Sequence, residues 1–511
     1  MAAPETPAVP GLPGSSGSHW LQGVEAPAYS SLTGDTRAEV AVLGAGIAGL
    51  TAAYLLAAAG ARVAVLEASR IGTGVSGHTT AKLTSLHGLI YAQLAGRFGD
   101  ETAAAYGAAN EAGLQWVAET VRREGFDCDL RRRDNFTYAL EGSGRPELEQ
   151  EAEAAARAGL PASFTEELDL PFPVAGAVRF TGQADFHPYR YLVALARRAA
   201  ELGAEIYEGT RATGIEGSSP RVRTENGATL TAERVIVATQ VPFLERGLFF
   251  ARLEPKRSSA LTAPLRGTAP SGMYLSAGEP TRSIRTIPTP EGEVLLVGGE
   301  GHRVGTGDPP AAYRRLAGWM KENFDVGEPQ LRWSSQDYST LDGMPYVGPV
   351  RPFEDRVLVA TGFAKWGLAN GTAAARMLVD RLEGRENPWA EAFDSNRLRP
   401  RASLPTLARH GAETGGFLLG DRLRGRTASA DDVAPGDGRI VGSGLGQQAV
   451  YRDERGTLHS LSARCTHMGC IVRWNPAERS WDCPCHGSRF GIEGEVLQGP
   501  AVSALERREP H

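Results

Sequence analysis

Residues 39–67 limit the possible folds of this chain more than any other stretch. Glu39–Leu43 (EVAVL) is a short, mostly apolar run of the kind buried in a parallel sheet. Gly44-Ala45-Gly46-Ile47-Ala48-Gly49 follows at once, then an Ala-rich helix over Leu50–Ala59, Gly60 as its stop, and a second strand Arg62–Leu66 that ends at Glu67. Gly44 permits the tight turn, Gly46 lets backbone approach a pyrophosphate, and Gly49 lets helix and strand pack closely. The helix N-terminus offers free N–H groups and a positive dipole to phosphates, and Glu67 is placed to accept from a ribose hydroxyl. A lone GxGxxG is weak because glycine-rich turns are common. Here the strand before, the helix after and the acid at the right distance predict a dinucleotide site, with Ile47 and Ala48 counted among its residues. An acid at 67 disfavours a 2′-phosphate.

Two later segments favour FAD over NAD. Glu233–Thr239 (ERVIVAT) is a strand running into a small-residue turn at Ala238 and Thr239. Arg356–Gly362 (RVLVATG) repeats the pattern, followed by Phe363-Ala364-Lys365-Trp366-Gly367, Leu368 and a helix over Ala369–Leu382. A helix aimed by its N-terminus at a flavin pyrimidine ring would stabilise the anionic reduced form, which places Gly362, Trp366, Gly367 and Leu368 at the cofactor.

The chain has five cysteines, and Cys465, Cys470, Cys483 and Cys485 fall within 21 residues. In a chain without an export signal this clustering reads as metal chemistry before a disulfide framework. Cys465-Thr466-His467 and Cys483-Pro484-Cys485-His486 form C-x-H and C-x2-H, with fifteen residues between His467 and Cys483. Two such loops suit a [2Fe-2S] cluster with Cys465 and Cys483 on one iron and His467 and His486 on the other. Imidazoles in place of two thiolates raise the potential to roughly −150 to +300 mV, against about −400 mV for an all-Cys plant-type cluster. The alternative is a Cys2His2 zinc site, although zinc modules usually pair Cys with Cys and His with His. Cys128 stands apart and reads as a packed thiol.

At 511 residues the chain is too long for one core, so about three domains are expected. A net charge of −6 argues against nucleic acid or an anionic membrane as the main partner. No apolar run reaches bilayer-spanning length, and Met1–Ser18 lacks the basic and apolar regions of a secretory signal, so the expected location is cytoplasmic. Residues 1–36 read as a mobile tail that docks late through Trp20 and Leu21. Residues 37–398 alternate helix and strand, an α/β Rossmann-type cofactor domain with an α+β substrate part. Residues 399–438 read as a linker with one short helix, and 439–511 as a small all-β domain.

The first part resembles the D-amino-acid oxidase/glycine oxidase superfamily over roughly residues 37–395. On that resemblance Gly74–Lys82 (GVSGHTTAK) corresponds to a Ser/Thr-rich loop beside the flavin, so Ser76, Gly77, His78, Thr79, Thr80 and Lys82 are expected at the cofactor. The covalent-attachment position of some relatives falls nearer Thr80 than His78, which implies non-covalent FAD. The C-terminal part resembles the Rieske domain of respiratory bc complexes, with boxes Cys465-Thr-His-Met-Gly-Cys470 and Cys483-Pro-Cys-His-Gly-Ser488. The resemblance implies a Cys470–Cys485 disulfide and a hydrogen bond from Ser488 to a bridging sulfide. Phe490 stands where many high-potential members have Tyr, implying a potential below the top of the range.

The combination resembles FAD-dependent amine- or amino-acid-oxidase-like proteins ending in a Rieske domain, which share the GHTTAK loop, the Gln336–Tyr346 segment and the Gly362–Gly367 closure. It implies hydride transfer from a substrate C–N bond to flavin N5, then single electrons through the cluster to an external acceptor, a protein or a quinone. An O2-using oxidase with a structural or sensing cluster, and a non-enzymatic electron carrier, are the alternatives. The chain carries no second GxGxxG in strand–acid context, no D-x2-H-x4-H and no P-loop. Arg285 is the candidate carboxylate-binding residue, His302 and Tyr338 are candidate pocket residues, and Lys365 is the candidate flavin-side cation.

Overall fold

A computed structural model describes residues 9, 11–140, 142–397, 399, 408–409, 411–412, 414–417 and 429–509. The first elements are β1 (Ser15–Ser16), β2 (Thr36–Leu43), α1 (Ile47–Ala58), β3 (Val63–Leu66), β4 (Lys82–Leu83), α2 (Tyr91–Phe98), α3 (Asp100–Glu124), β5 (Arg131–Ala139), α4 (Arg145–Arg157), β6 (Ala162–Thr165), β7 (Gly176–Asp185) and α5 (Pro188–Glu201). Next come β8 (Glu205–Tyr207), β9 (Ala212–Glu216), β10 (Arg221–Thr224), β11 (Thr229–Val237), α6 (Phe249–Arg252), β12 (Leu253–Pro264), β13 (Met273–Ser276), β14 (Arg282–Thr289), β15 (Gly292–Arg303), α7 (Pro309–Asn323) and β16 (Leu331–Thr340). β17 (Tyr346–Pro349), β18 (Val357–Thr361), α8 (Gly367–Leu382) and α9 (Ala390–Phe393) complete the larger part. The C-terminal part holds β19 (Gly438–Val441), β20 (Gln448–Arg452), β21 (Leu458–Ser462), β22 (Arg473–Asn475), β23 (Ser480–Asp482), β24 (Arg489–Phe490) and β25 (Val496–Gln498).

The apolar runs of β2, β3, β11 and β18 are buried on both faces, as parallel strands flanked by helices must be. They form the centre of a sheet ordered β17-β18-β11-β2-β3-β8, with Val42 opposite both Val65 and Ile236. α1 is apolar all round because it packs between α5 and α8.

The second sheet runs β1-β16-β12-β15-β14-β13-β5-β7-β4, with β6 against β7. Leu261, Ile284, Leu295 and Val297 pack with Tyr313, Leu316 and Met320 of α7 on one face. Strand alternation therefore sends Ser258, Ala260, Arg285, Leu296 and Gly298 to the opposite face, towards the first sheet. On β16 the same alternation separates Trp333, Ser335 and Asp337 from Gln336 and Tyr338.

The stretch read as a tail that docks through Trp20 and Leu21 does dock through Trp20, and a short strand holds it as well. β1 pairs in parallel with β16, Ser15 opposite Leu331, and Trp20 is 1% exposed. The burial of one large indole overcomes the Pro/Gly/Ser composition around it. The short helix expected in the 399–438 linker is present over its described residues, 408–409, 411–412 and 414–417, and its Phe417 ring lies within 5.4 Å of the Arg303 and Arg473 guanidinium carbons.

The C-terminal part is all-β, with sheets β19-β20-β21 and β22-β23-β24-β25 closing on Tyr451, Leu461, Trp481 and Phe490. It docks on the reverse face of β12 and β16 through a buried charge cluster. Glu478 accepts from Arg257 of β12, from Ser334 of β16 and from Arg489 (2.7 Å) of its own domain. Burial alone would raise the Glu478 carboxyl, but Arg257 and Arg489 hold it far below the carboxylate range.

A carboxyl lowered by folding contributes stability above its unfolded pKa and loses it as pH falls towards the folded value. Domain docking should therefore persist through mild acid and fail only in strong acid. Glu478→Ala leaves two buried guanidinium groups without this carboxylate and should cost about 3–5 kcal/mol in denaturant unfolding. A loss near zero would show that the cluster does not hold the domains.

Candidate flavin and iron–sulfur sites

The glycine turn is built as the fingerprint requires. Gly44 has φ +99°, and a Cβ there would stand 2.7 Å from the Ala238 carbonyl oxygen, so β11's end closes over the turn. A Cβ on Gly49 would stand 1.8 Å from the Gly44 carbonyl oxygen, a contact no side chain could relieve. Gly46 caps α1 without a side chain and the first turn carries no acid, so the helix end can accept an anion. Ser76 Oγ accepts from the Ile47 N–H at 3.1 Å, and Glu67 accepts from the N–H groups of Ala45 (2.8 Å) and Ser69 (2.9 Å). Burial raises the Glu67 carboxyl pKa. This cradle fits a dinucleotide, with Ala48 beside Ile47 in the first turn and Thr239 next to Ala238.

The loop after β3 is pinned by its carbonyls. Ser18 Oγ donates to Gly77 O (2.6 Å), Trp333 Nε1 to His78 O (2.9 Å), Trp20 Nε1 to Thr79 O (2.6 Å) and Arg285 Nη1 to Ala81 O (2.7 Å). Thr80 packs against Gly298 of the second sheet, and Lys82 is buried with its ammonium on the Tyr274 carbonyl. Burial lowers the pKa of both Lys82 and His78.

At the other end of the cradle, Gly362 (φ +78°) abuts Thr340, and Ala364 and Lys365 follow with φ of +48° and +76°. Two successive non-glycine residues in the left-handed region store strain, as functional loops often do. Trp366 precedes α8 and stacks on His87 with ring centroids 4.5 Å apart, while Gly367 and Leu368 open the helix. Asp337 accepts from the N–H of Tyr338 at 2.7 Å and from that of Lys365. Burial pushes the Asp337 carboxyl up to about 6 against the opposing pull of these N–H groups and the Lys365 charge. Burial likewise lowers Lys365. A cavity of about 280 Å³ borders this loop, lined among others by His87, Tyr106, Ser339, Phe363, Trp366 and Asn370.

Three expected substrate residues are placed differently. Arg285 is buried, paired with Asp185 at 3.4 Å, bonded to loop carbonyls and covered by the Trp20 ring. Its guanidinium clamps the flavin-side loop, although its edge lines a second cavity of about 170 Å³ with Arg131, His187 and Arg190. His302 turns its Nδ1 to Glu300 O at 3.0 Å and lines neither cavity. Tyr338 points away from the flavin side altogether, because strand alternation puts it on the C-terminal domain's face.

Both metal-ligand boxes close alike. The N–H of the first residue donates to the carbonyl of the sixth, Cys465 to Cys470 and Cys483 to Ser488, each at 2.8 Å. The fifth residue, Gly469 or Gly487, has φ of +72° or +81° and donates back to the first. Cys465 and Cys483 are buried and hydrogen-bonded to each other, which lowers the first thiol and raises the second. The His467 and His486 rings meet edge to face, 5.0 Å between centroids. A Cys470–Cys485 disulfide joins the boxes, as the resemblance implied. Ser488 Oγ accepts from Ala501 N (3.0 Å) and reaches the Cys465 thiol, and Phe490 is fully buried. Two thiols and two imidazoles converging from two loops fit a two-iron cluster with mixed ligands.

Sequence reading missed the docking residues. Gln336 Nε2 donates to Gly487 O (2.8 Å), Tyr338 OH to His486 O (3.1 Å) and Arg303 Nε to Pro484 O (2.9 Å). Phe250 of α6 lays its ring edge-on to His467 and His486, at 5.6 and 5.3 Å. No periodicity or motif marks Phe250, since its partners lie more than two hundred residues away.

Comparison with known proteins agrees with this geometry. The FAD dependent oxidoreductase family model matches residues 39–381, and the Rieske [2Fe-2S] domain model residues 426–508. The Rieske 2Fe-2S iron-sulfur protein YhfW of Bacillus subtilis (strain 168) is 33% identical over 493 residues, 96% of this chain and 97% of that protein. The chloroplastic cytochrome b6-f complex iron-sulfur subunit of Triticum aestivum is 35% identical over 115 residues, 21% of this chain and 51% of its own length. Among solved structures, glycine oxidase from Geobacillus kaustophilus matches with a TM-score of 0.60 at 21% identity, covering 71% of this chain and 99% of that one. L-proline dehydrogenase from P. horikoshii matches with a TM-score of 0.58 at 19% identity, covering 71% and 98%. At such identities the likeness is one of fold.

Gly49→Ala should give protein purified without flavin absorption, because β2 and α1 cannot approach; a normal flavin spectrum would refute the cradle. With residues 39–381 inside one family's boundaries and 426–508 inside the other's, the chain belongs to the FAD-dependent oxidoreductases, as a member that carries a C-terminal Rieske [2Fe-2S] domain.

Proposed function

We propose that the chain is a dehydrogenase of amines or amino acids that sends electrons from FAD through its Rieske cluster to an external acceptor, a protein or a quinone, in the cytoplasm. The observation that carries this reading is the seating of the Cys483–Ser488 box on one face of β16 while the other face carries Asp337 beside the flavin-closing loop. One two-sided strand is thus the wall between the two cofactor sites. Among the described residues, no helix is long and apolar enough to cross a membrane.

FAD supplies acceptance of a hydride with release of single electrons, which a one-electron cluster requires. Gly44, Gly46, Ile47, Ala48 and Gly49 hold its pyrophosphate, Glu67 its ribose, Ala238 and Thr239 the floor of the turn. Ser76–Thr80 and Lys82 on one side, and Gly362 and Trp366–Leu368 on the other, enclose the ring system. Cys465, His467, Cys483 and His486 hold the cluster. Arg285 fixes the loop that borders the flavin. The Lys365 backbone N–H donates to Asp337, and the Asp337 carboxylate takes the proton that amine oxidation releases.

The reading is tested by mixing the holoprotein anaerobically with amines, N-methyl amino acids and D-amino acids, following flavin bleaching and then EPR of the cluster. A compound that bleaches the flavin and brings up the reduced-cluster signal supports the relay. Bleaching with the cluster left oxidised, and peroxide formed in air, would replace the relay with an oxidase. Flavin reduction should rise with pH through about 6 as the Asp337 carboxyl ionises, and Asp337→Asn should flatten that limb. An unchanged profile in the variant would remove Asp337 from the proton step.

A further inference from the structure

We propose that Tyr338 is the bridge by which electrons pass from the flavin-closing loop to the cluster, an assignment that rests on the relay reading above. Its backbone belongs to one site and its side chain to the other. The Ala364 N–H, next to Lys365, donates to the Tyr338 carbonyl at 3.1 Å. The Tyr338 hydroxyl donates to the His486 carbonyl at 3.1 Å, and His486 carries one of the iron-ligating imidazoles. One residue and two hydrogen bonds therefore span the wall of β16.

The competing route is longer. It runs from Thr361 Oγ1 to Gln240 O, from Gln240 Nε2 to Gln336 O, and from Gln336 Nε2 to Gly487 O, three hydrogen bonds that end on a residue without a ligand side chain. The bridge is also held still. Tyr338 is 1% exposed, its hydroxyl accepts from Gln336 Nε2 at 2.9 Å, and the lack of a side chain on Gly487 lets it reach the box. A Cβ on Gly487 would lie 2.8 Å from that hydroxyl.

Each passage moves one electron from two-electron-reduced FAD to the oxidised cluster, reducing one ferric iron to ferrous. The second passage follows once the external one-electron acceptor has re-oxidised the cluster; the hydride's proton then leaves the re-oxidised flavin for solvent, Asp337 having already taken the proton of the amine.

The test uses the holoprotein without substrate. A brief pulse of a photochemical reductant delivers less than one electron per molecule, and the redistribution between flavin and cluster is followed by absorbance. Midpoint potentials are measured in parallel by EPR titration. Tyr338→Phe keeps the ring and the fold but loses the hydroxyl, and should slow redistribution several-fold with both potentials unchanged. Gln240→Asn, too short to reach the Gln336 carbonyl, breaks the competing route while leaving the Tyr338 hydroxyl on both its partners, and should redistribute near the native rate. A native rate in Tyr338→Phe, or equal slowing in Gln240→Asn, would overturn the bridge while leaving the relay intact. Absence of any redistribution in the native protein would overturn the relay itself.

Discussion

Everything that concerns two cofactors in this protein depends on a carboxylate that faces two ways. Glu478 belongs to the iron–sulfur domain, yet Arg257 and Ser334, which hold it, belong to the flavin domain, and Arg489 closes the set from its own side. Burying such a group costs several kcal/mol unless its partners are in place, so the domain is either docked in register or not docked. Register matters because the box Cys483–Ser488 meets β12 and β16 at contact distance. Gln336, Pro255 and Tyr338 stand where a Gly487 side chain would be.

The flavin side uses a different device. The loop from Gly77 to Ala81 is held by donors from three separate parts of the chain: Ser18 and Trp20, Arg285, and Trp333. An arginine that would serve as a substrate clamp in another setting is here surrounded by carbonyls, Asp185 and an indole. Left-handed backbone occurs on both sides of the site, at Ala81 of this loop and at the successive Ala364 and Lys365, where the chain turns from β18 towards α8.

Much of this was legible in the sequence because it is local. Gly44, Gly46, Gly49 and Glu67 announce the cradle within thirty residues, since each answers a steric or electrostatic demand of its immediate neighbours. The two ligand boxes are equally local, down to the glycine at the fifth position of each. What stayed hidden is non-local. Tyr338 was a reasonable pocket residue until the sheet fixed which way the pleat turned it, and a shift of one residue would have exchanged it with Asp337. Phe250 and the placement of Arg285 follow from tertiary packing alone. The tail's docking through Trp20 was expected, but not the pairing of Ser15 with Leu331, because composition cannot report a strand partner more than three hundred residues away.

That docked segment has a consequence for how the protein matures. Its partners lie far downstream: the Arg332 guanidinium holds the Gly14 carbonyl across 318 residues, and Ser15 pairs with Leu331. Contacts of such separation form late, after the sheets they join. The latch that Ser18 and Trp20 place on the Gly77 and Thr79 carbonyls should then close only once β1 has found β16. A prosthetic group added before that step would meet an open loop, and one added after it a closed one.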